Sequence, residues 1–232
     1  MSALDLMRRR STPLRLVIFD CDGVLVDSEP VSNRILAEDL TARGWTMTAE
    51  EAIHRFVGTT LTDMRPLIEA RLSIELPEDW NAQVTARIVA ALAEESTPIP
   101  GAIETLRAMD AMGMPWRVAS NSSHAEMRAK FARLGITDLV DGRVHSFTEV
   151  AAGKPAPDLF LAAARAQGMA PQDCVVIEDS VPGVRAAIAA GMDCLGFAPH
   201  TDGAALRAHG AVPFHAMAGL PALIAAAGRR AA

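Results

Sequence analysis

The chain has 232 residues, 50% of them hydrophobic, and a net charge of −6 from 22 basic and 28 acidic side chains. That length fits one large domain or two unequal ones around a sizeable core. The acidic balance excludes nucleic acid and an anionic membrane surface as main partners, though not a local basic pocket for a small anion, and no apolar run reaches membrane-spanning length.

Residues 1–10 hold Arg8, Arg9 and Arg10 with no long apolar core behind them. They are expected as a frayed head rather than a signal peptide. Leu16-Val17-Ile18-Phe19 lacks polar alternation and reads as a strand buried on both faces of a parallel sheet. It runs directly into Asp20-Cys21-Asp22-Gly23. Open α/β sheets bind ligands beyond the carboxyl ends of their strands, which is where these aspartates fall. Side chains two apart on a strand point the same way, so Asp20 and Asp22 are expected in one small volume. Two carboxylates there repel unless a proton or a divalent cation intervenes. Taken alone, the stretch also fits a plain Asp-Gly turn. An EF-hand loop is excluded, because Gly23 comes too early and Val24 stands at a ligand position.

From about residue 30 to 95 the pattern is helical throughout. Leu36 and Leu40 lie four apart ahead of Gly44, a helix stop. A second helix covers residues 49–56, Gly58-Thr59-Thr60 is a break, and a third helix runs to about Arg71. Val84, Ile88, Ala91 and Leu92 mark a fourth. Ser96-Thr97-Pro98-Ile99-Pro100-Gly101 then punctuates the chain, which makes residues 29–98 a helical insertion on two linkers.

From Gly101 onward helix and strand alternate. Ile103, Leu106 and Met109 mark a helix closed by Gly113, and residues 116–119 a strand ending at Ser120-Asn121. Ser123 and Glu126 form a capping-box pair ahead of an apolar face of Met127, Phe131 and Leu134. A weak strand near 143–146 and a helix starting at Pro155 follow. Residues 174–177 form a buried strand ending in Glu178-Asp179. Val184 and Ile188 mark the next helix, residues 194–197 and 211–214 give two more strands, and a tail helix closes the chain. This order defines an α/β fold, a doubly wound parallel sheet with helices on both faces. The polar residues that follow strand ends therefore converge on one edge.

Cys21, Cys174 and Cys194 show neither CxxC pairing nor zinc-ligand spacing. They are expected as buried free thiols in a reducing cytoplasm. No GxxxxGK loop, HExxH or GxSxG motif is present, and the histidines show no pairing at metal spacing. His124 is expected to face solvent at a helix start.

The strand-end residues resemble the motifs of the haloacid dehalogenase superfamily, in its branch with an α-helical cap inserted after the first motif. The first is Asp20-Cys21-Asp22-Gly23-Val24, and the second is Ser120-Asn121. Lys154 in Gly153-Lys154-Pro155-Ala156-Pro157-Asp158 is the third, and Glu178-Asp179-Ser180 with Pro182-Gly183 the fourth. The resemblance covers about residues 16–197, and in the cap it extends only to size and helicity. It implies a Rossmann-like core of residues 1–28 and 99–232 and a helical cap of residues 29–98.

The resemblance also implies phosphoryl transfer through an aspartyl-phosphate. Asp20 would be the nucleophile. Asp22 would protonate the leaving oxygen and then activate water. Asp20, Glu178 and Asp179, with the backbone carbonyl of Asp22, would hold Mg²⁺, a cation suited to oxygen ligands. Lys154 would neutralise phosphate charge, Ser120 would donate a hydrogen bond to it, and Asn121 would add a further donor. Dehalogenases lack the second aspartate, and phosphonate hydrolases of this architecture use a cap lysine, whereas no lysine lies between Glu29 and Pro98.

The expected function is a Mg²⁺-dependent, cytoplasmic phosphatase for a small phosphorylated metabolite, a sugar or sugar-acid phosphate, with the oligomeric state left open and a monomer favoured. Two alternatives stand beside it: a sugar phosphomutase similar to β-phosphoglucomutase, and a catalytically weak binding or regulatory protein. A mutase needs a second phosphate site in the cap. In β-phosphoglucomutases an arginine follows a cap glycine closely. Here Leu61 stands there, and Arg65, one turn on, is the nearest substitute.

Overall fold

The computed structural model describes residues 1–56 and 59–227. Gly58, in the break between two of the expected helices, lies outside the described residues. In chain order the elements are α1 (Ala3–Arg9), β1 (Leu16–Phe19), β2 (Val26–Asp27), α2 (Glu29–Ala42), α3 (Ala49–Phe56), α4 (Leu61–Leu72), α5 (Trp80–Glu95) and β3 (Thr97–Pro98). Then come α6 (Ala102–Ala111), β4 (Trp116–Ser120), α7 (His124–Arg133), α8 (Thr137–Val140), β5 (Val144–Ser146), α9 (Asp158–Ala166) and β6 (Cys174–Glu178). The chain closes with α10 (Val181–Ala189), β7 (Asp193–Phe197), α11 (Ala204–Ala208), β8 (Val212–Phe214) and α12 (Leu220–Ala227).

β1 lies inside a six-stranded sheet of order β5-β4-β1-β6-β7-β8, parallel at every pairing. Alternation along β1 divides its side chains between two cores. Val17 and Phe19 pack with residues of α1, α6, α7 and α12, while Leu16 and Ile18 pack with residues of α9 and α10. Each such aliphatic or aromatic side chain contributes roughly 1.5–3 kcal/mol on burial. A strand covered on both faces has no place for polar alternation, which is the physical reason for its unbroken apolar run.

Helices α2 to α5 have a core of their own, with Leu36, Leu40, Ile68, Val84 and Leu92 around a fully buried Trp80. The Trp80 indole donates to Asp39 at 2.8 Å, and Arg43 closes on the same carboxylate at 2.8 Å. The two connections to the sheet are not loose linkers. β2 and β3 pair antiparallel, Val26 opposite Pro98 and Asp27 opposite Thr97, and the Ile99 N–H donates to the Leu25 carbonyl at 3.0 Å. α5 packs along α7.

Two expectations need correction. Residues 1–10 are not a frayed head: Ser2 and Asp5 form a reciprocal capping box for α1, Ala3 and Met7 are buried one turn apart, and the helix packs on α12. Arg10 then pairs with Asp193, which anchors this segment beside β7. Pro155 does not start a helix. It follows a cis Lys154–Pro155 bond in a turn, and α9 begins at Asp158. The three cysteines are free and buried, and no helix among the described residues is long and apolar enough to cross a membrane.

Candidate active site

The sequence-predicted residues meet at the carboxyl ends of β1, β4 and β6. Past β1 the Asp20 N–H still bonds the Ile177 carbonyl at 2.9 Å, which extends the parallel pairing to the first aspartate. The chain then turns sharply. The Cys21 carbonyl accepts from Leu25 and Val26 at 2.9 Å each, and Gly23 adopts φ +72°, a conformation open to glycine and costly for other residues. A side chain at Gly23 would also collide with the Asp179 carboxylate, and one at Gly183 with that of Glu178. Both glycines therefore keep space for acids rather than merely making turns.

Asp20, Glu178 and Asp179 each offer an oxygen within 4.8 Å of the others. Lys154 reaches into this cluster, its ammonium 2.7 Å from both Asp20 and Glu178 and 4.8 Å from the Phe160 ring centroid. The second Glu178 oxygen accepts from the Ser180 N–H at 2.8 Å and hydroxyl at 2.9 Å. Asp179 differs from both: among the described residues no hydrogen-bond donor serves its side chain. Burial raises the Asp20 carboxyl well above its ordinary range, with Glu178 and Asp22 adding to the rise and Lys154 opposing it. Burial, then the charges of Glu178, Asp20 and Glu29, raise Asp179 in the same direction.

These residues fit a hard divalent cation. Every donor is an oxygen, Asp179 lacks a proton donor, and one lysine stands against three carboxylates. Magnesium favours such oxygen sets.

Asp22 is not part of this cluster. The sharp turn sends its carboxylate to a different cation, Lys130, which with Ser28 donates to Oδ1. Oδ2 accepts from Ser122 at 2.7 Å and Ser120 at 3.2 Å. To the proton or metal expected to relieve two neighbouring aspartates the structure adds a further element: each has its own lysine. Burial would raise Asp22, but Lys130 and the hydroxyls outweigh it and hold the carboxyl at about 2. Two neighbouring acids are pushed in opposite directions by their surroundings.

The Asn121 side chain is committed to the loop that carries Lys154. Its amide donates to the Lys154 carbonyl at 3.1 Å and accepts from the Lys154 N–H at 2.9 Å. The side chain clamps the loop that carries Lys154, which leaves the backbone N–H for other duty. His124 begins α7 as expected, but its ring meets Glu149, which also bonds His145 at 3.3 Å.

Several residues of the site escaped the sequence reading. Lys130 carried a signal: it interrupts the core-facing stripe of Met127, Phe131 and Leu134. Ser122 and Ser28 sit close to the motifs but have no spacing rule of their own. Glu29, the first residue of α2, is a further acid of the site. Burial and then the charges of Asp22 and Asp27 raise its carboxyl. Arg65, the expected substitute for a mutase arginine, is committed elsewhere. It pairs with Glu69 at 3.1 Å and donates to the carbonyls of Leu76 and Glu78, because the turn after α4 folds those carbonyls back onto it.

Fold and site together define a Rossmann-like α/β protein that gathers a strand-end aspartate, a buried lysine and a cluster of three carboxylates at one edge of its sheet. Residues 14–191 match the haloacid dehalogenase-like hydrolases, and the chain belongs to that family. It is 30% identical to the 6-phosphogluconate phosphatase of Escherichia coli over 81% of this chain and 85% of that protein. It is 35% identical to the bifunctional riboflavin kinase/FMN phosphatase of Arabidopsis thaliana over 75% of this chain, a match that spans 46% of that longer protein. Among solved structures, a HAD family hydrolase from Deinococcus radiodurans with bound phosphate and sodium superposes with a TM-score of 0.77 at 35% identity, over 93% of this chain and 97% of that one.

Proposed function

We propose that the protein is a Mg²⁺-dependent phosphatase that hydrolyses a small phosphorylated metabolite, a sugar or sugar-acid phosphate, through an aspartyl-phosphate on Asp20. The observation that carries this reading is the placement of Asp20. It directly follows the buried β1, lies beside Lys154, and has an oxygen within 4.8 Å of one of Asp179, a carboxylate with no hydrogen-bond donor among the described residues. The substrate class rests on the similarity to a phosphatase named for 6-phosphogluconate.

In this reading an Asp20 oxygen attacks phosphorus and the bond to the leaving oxygen breaks as Asp22 supplies that oxygen with a proton. Water then attacks the same phosphorus, Asp22 takes its proton, and Asp20 is released with inorganic phosphate. Splitting one displacement into two lowers each barrier. Lys154 is the fixed positive charge for the phosphoryl oxygens, and a preorganised charge in a dry site carries most of the catalysis available to phosphoryl transfer. Mg²⁺, held by Asp20, Glu178, Asp179 and the Asp22 carbonyl, would neutralise the repulsion between nucleophile and phosphate. Asp22 is ionised beside Lys130. It acquires its proton when substrate negative charge is added next to it, since a like charge raises a carboxyl pKa.

Residues 29–98 are the cap in this reading, and they swing on the β2–β3 ribbon to exclude water while the aspartyl-phosphate forms. The experiment that tests the proposal is phosphate release from a panel of 6-phosphogluconate, hexose phosphates, hexitol phosphates and FMN, with Mg²⁺ and with EDTA. The proposal expects metal-dependent release from a phosphorylated sugar or sugar acid. Undiminished release in EDTA contradicts the metal requirement, and no release from any ester contradicts the activity.

A further inference from the structure

Lys130 occupies a position where the helix pattern asks for an apolar residue. Met127 and Phe131 on the same face of α7 are core residues, and the Lys130 side chain is only 2% exposed. Its ammonium reaches Asp22 and the Ser122 hydroxyl, the latter at 2.8 Å. An interior ammonium forfeits its hydration, and a side chain such as Met fills similar space without that loss. The charge is therefore the informative feature of this residue, and Asp22 is the carboxylate it meets.

The rest of the cradle shows what the charge does. Three serine hydroxyls alone would leave Oδ1 with a single donor, Ser28, against two on Oδ2. Lys130 supplies the second donor to Oδ1 and at the same time fixes Ser122, whose N–H is tied to the Ser120 hydroxyl at 3.0 Å. Lys154 spends its charge on Asp20 and Glu178 instead. The two lysines thus divide the two aspartates between them.

We propose that Lys130 is a positioning residue: it fixes the Asp22 carboxylate where that group exchanges a proton with the leaving oxygen and with water, while the phosphoryl group is left to Lys154. The inference rests on the proposed roles of Asp20 as nucleophile and Asp22 as proton-transfer group. It has a consequence that a packing role lacks. Loss of Lys130 should slow esters whose leaving group needs a proton and spare those whose leaving group does not.

The test uses Lys130→Met and Lys130→Gln in the full chain with Mg²⁺. Rapid-quench single turnovers follow phosphoenzyme formation from dinitrophenyl phosphate, an activated aryl ester, and from the fastest alkyl ester of the panel above. The readout is the ratio of the two rates, which is independent of the fraction of protein that folds. The alkyl rate is expected to fall by about 10²-fold, the scale of a lost general acid, with the aryl rate within about threefold of wild type and KM little changed. Equal loss on both esters would overturn the inference, because Lys130 would then act on the phosphoryl group or on the fold. Unchanged rates on both would overturn it as well. Absence of any phosphoenzyme in the wild type would remove the underlying reading instead, and the inference with it.

Discussion

Replacing Asp179 by Asn should stabilise the metal-free protein while it removes activity. The oxygens of Asp20, Glu178 and Asp179 lie within 4.8 Å of one another, and two unit charges at that spacing repel by about 3.5 kcal/mol at an effective dielectric of about 20. Asp179 faces two such neighbours, but Lys154 at 2.7 Å from each offsets much of their charge. Proton uptake relieves part of the remainder, because the Asp179 carboxyl is raised. The net gain expected from Asp179→Asn in EDTA is about 1–3 kcal/mol, or about 3–10 °C in Tm for a chain of this size. The pH dependence has a definite sign. A carboxyl whose folded pKa exceeds its unfolded value near 3.8 favours the fold most below that value, and the benefit is lost as pH rises toward the folded pKa. The wild type in EDTA should therefore lose stability over that range, and the variant should lose less. Mg²⁺ should reverse the ranking, since it stabilises the wild type in proportion to occupancy and the variant has lost a ligand. Thermal melts across pH, in EDTA and in excess Mg²⁺, measure all of this. A variant less stable than wild type in EDTA, with an unchanged pH slope, would refute the electrostatic account of the cluster.

Lys154→Met should destabilise the protein by about 3–5 kcal/mol in EDTA, because it leaves buried carboxylates uncompensated; chemical denaturation measures it, and a loss below about 1 kcal/mol would contradict the pairing. Scattering curves with and without a bound phosphate analogue should differ in compactness if residues 29–98 swing on the β2–β3 ribbon, and identical curves with the analogue bound would count against the swing. Hydrolysis rather than mutase transfer is expected, since Arg65 is bound to Glu69 and to backbone carbonyls. β-Glucose 1-phosphate with a trace of the 1,6-bisphosphate should give free phosphate faster than glucose 6-phosphate, and the reverse order would establish the mutase.

The parts of the fold legible in the sequence are those with a strong period or a strong boundary. β1 and β6 announce themselves as unbroken apolar runs, α5 by its spacing from Val84 to Leu92, and the site by polar residues placed directly after strands. The β2–β3 ribbon was not legible, because a two-residue strand has no period to read. α1 was obscured by three arginines, although its capping pair Ser2 and Asp5 and its buried Ala3 and Met7 follow ordinary helix rules. The different partners of Asp20 and Asp22 were hidden for another reason. Strand alternation makes them neighbours, but β1 ends at Phe19 and the turn that follows directs each carboxylate to a lysine distant in sequence. Lys130 was visible as a charge on an apolar stripe, while its partner could come only from the tertiary structure.

The central claim is that Asp20 carries the phosphoryl group. The direct measurement is an acid-quenched single turnover on the panel's best substrate with Mg²⁺, digested and mapped by mass spectrometry. A phosphoryl adduct on the peptide containing Asp20, absent from Asp20→Asn, is the result the account predicts. Phosphate release without any such adduct, or an Asp20→Asn variant that turns over near the wild-type rate, would contradict it.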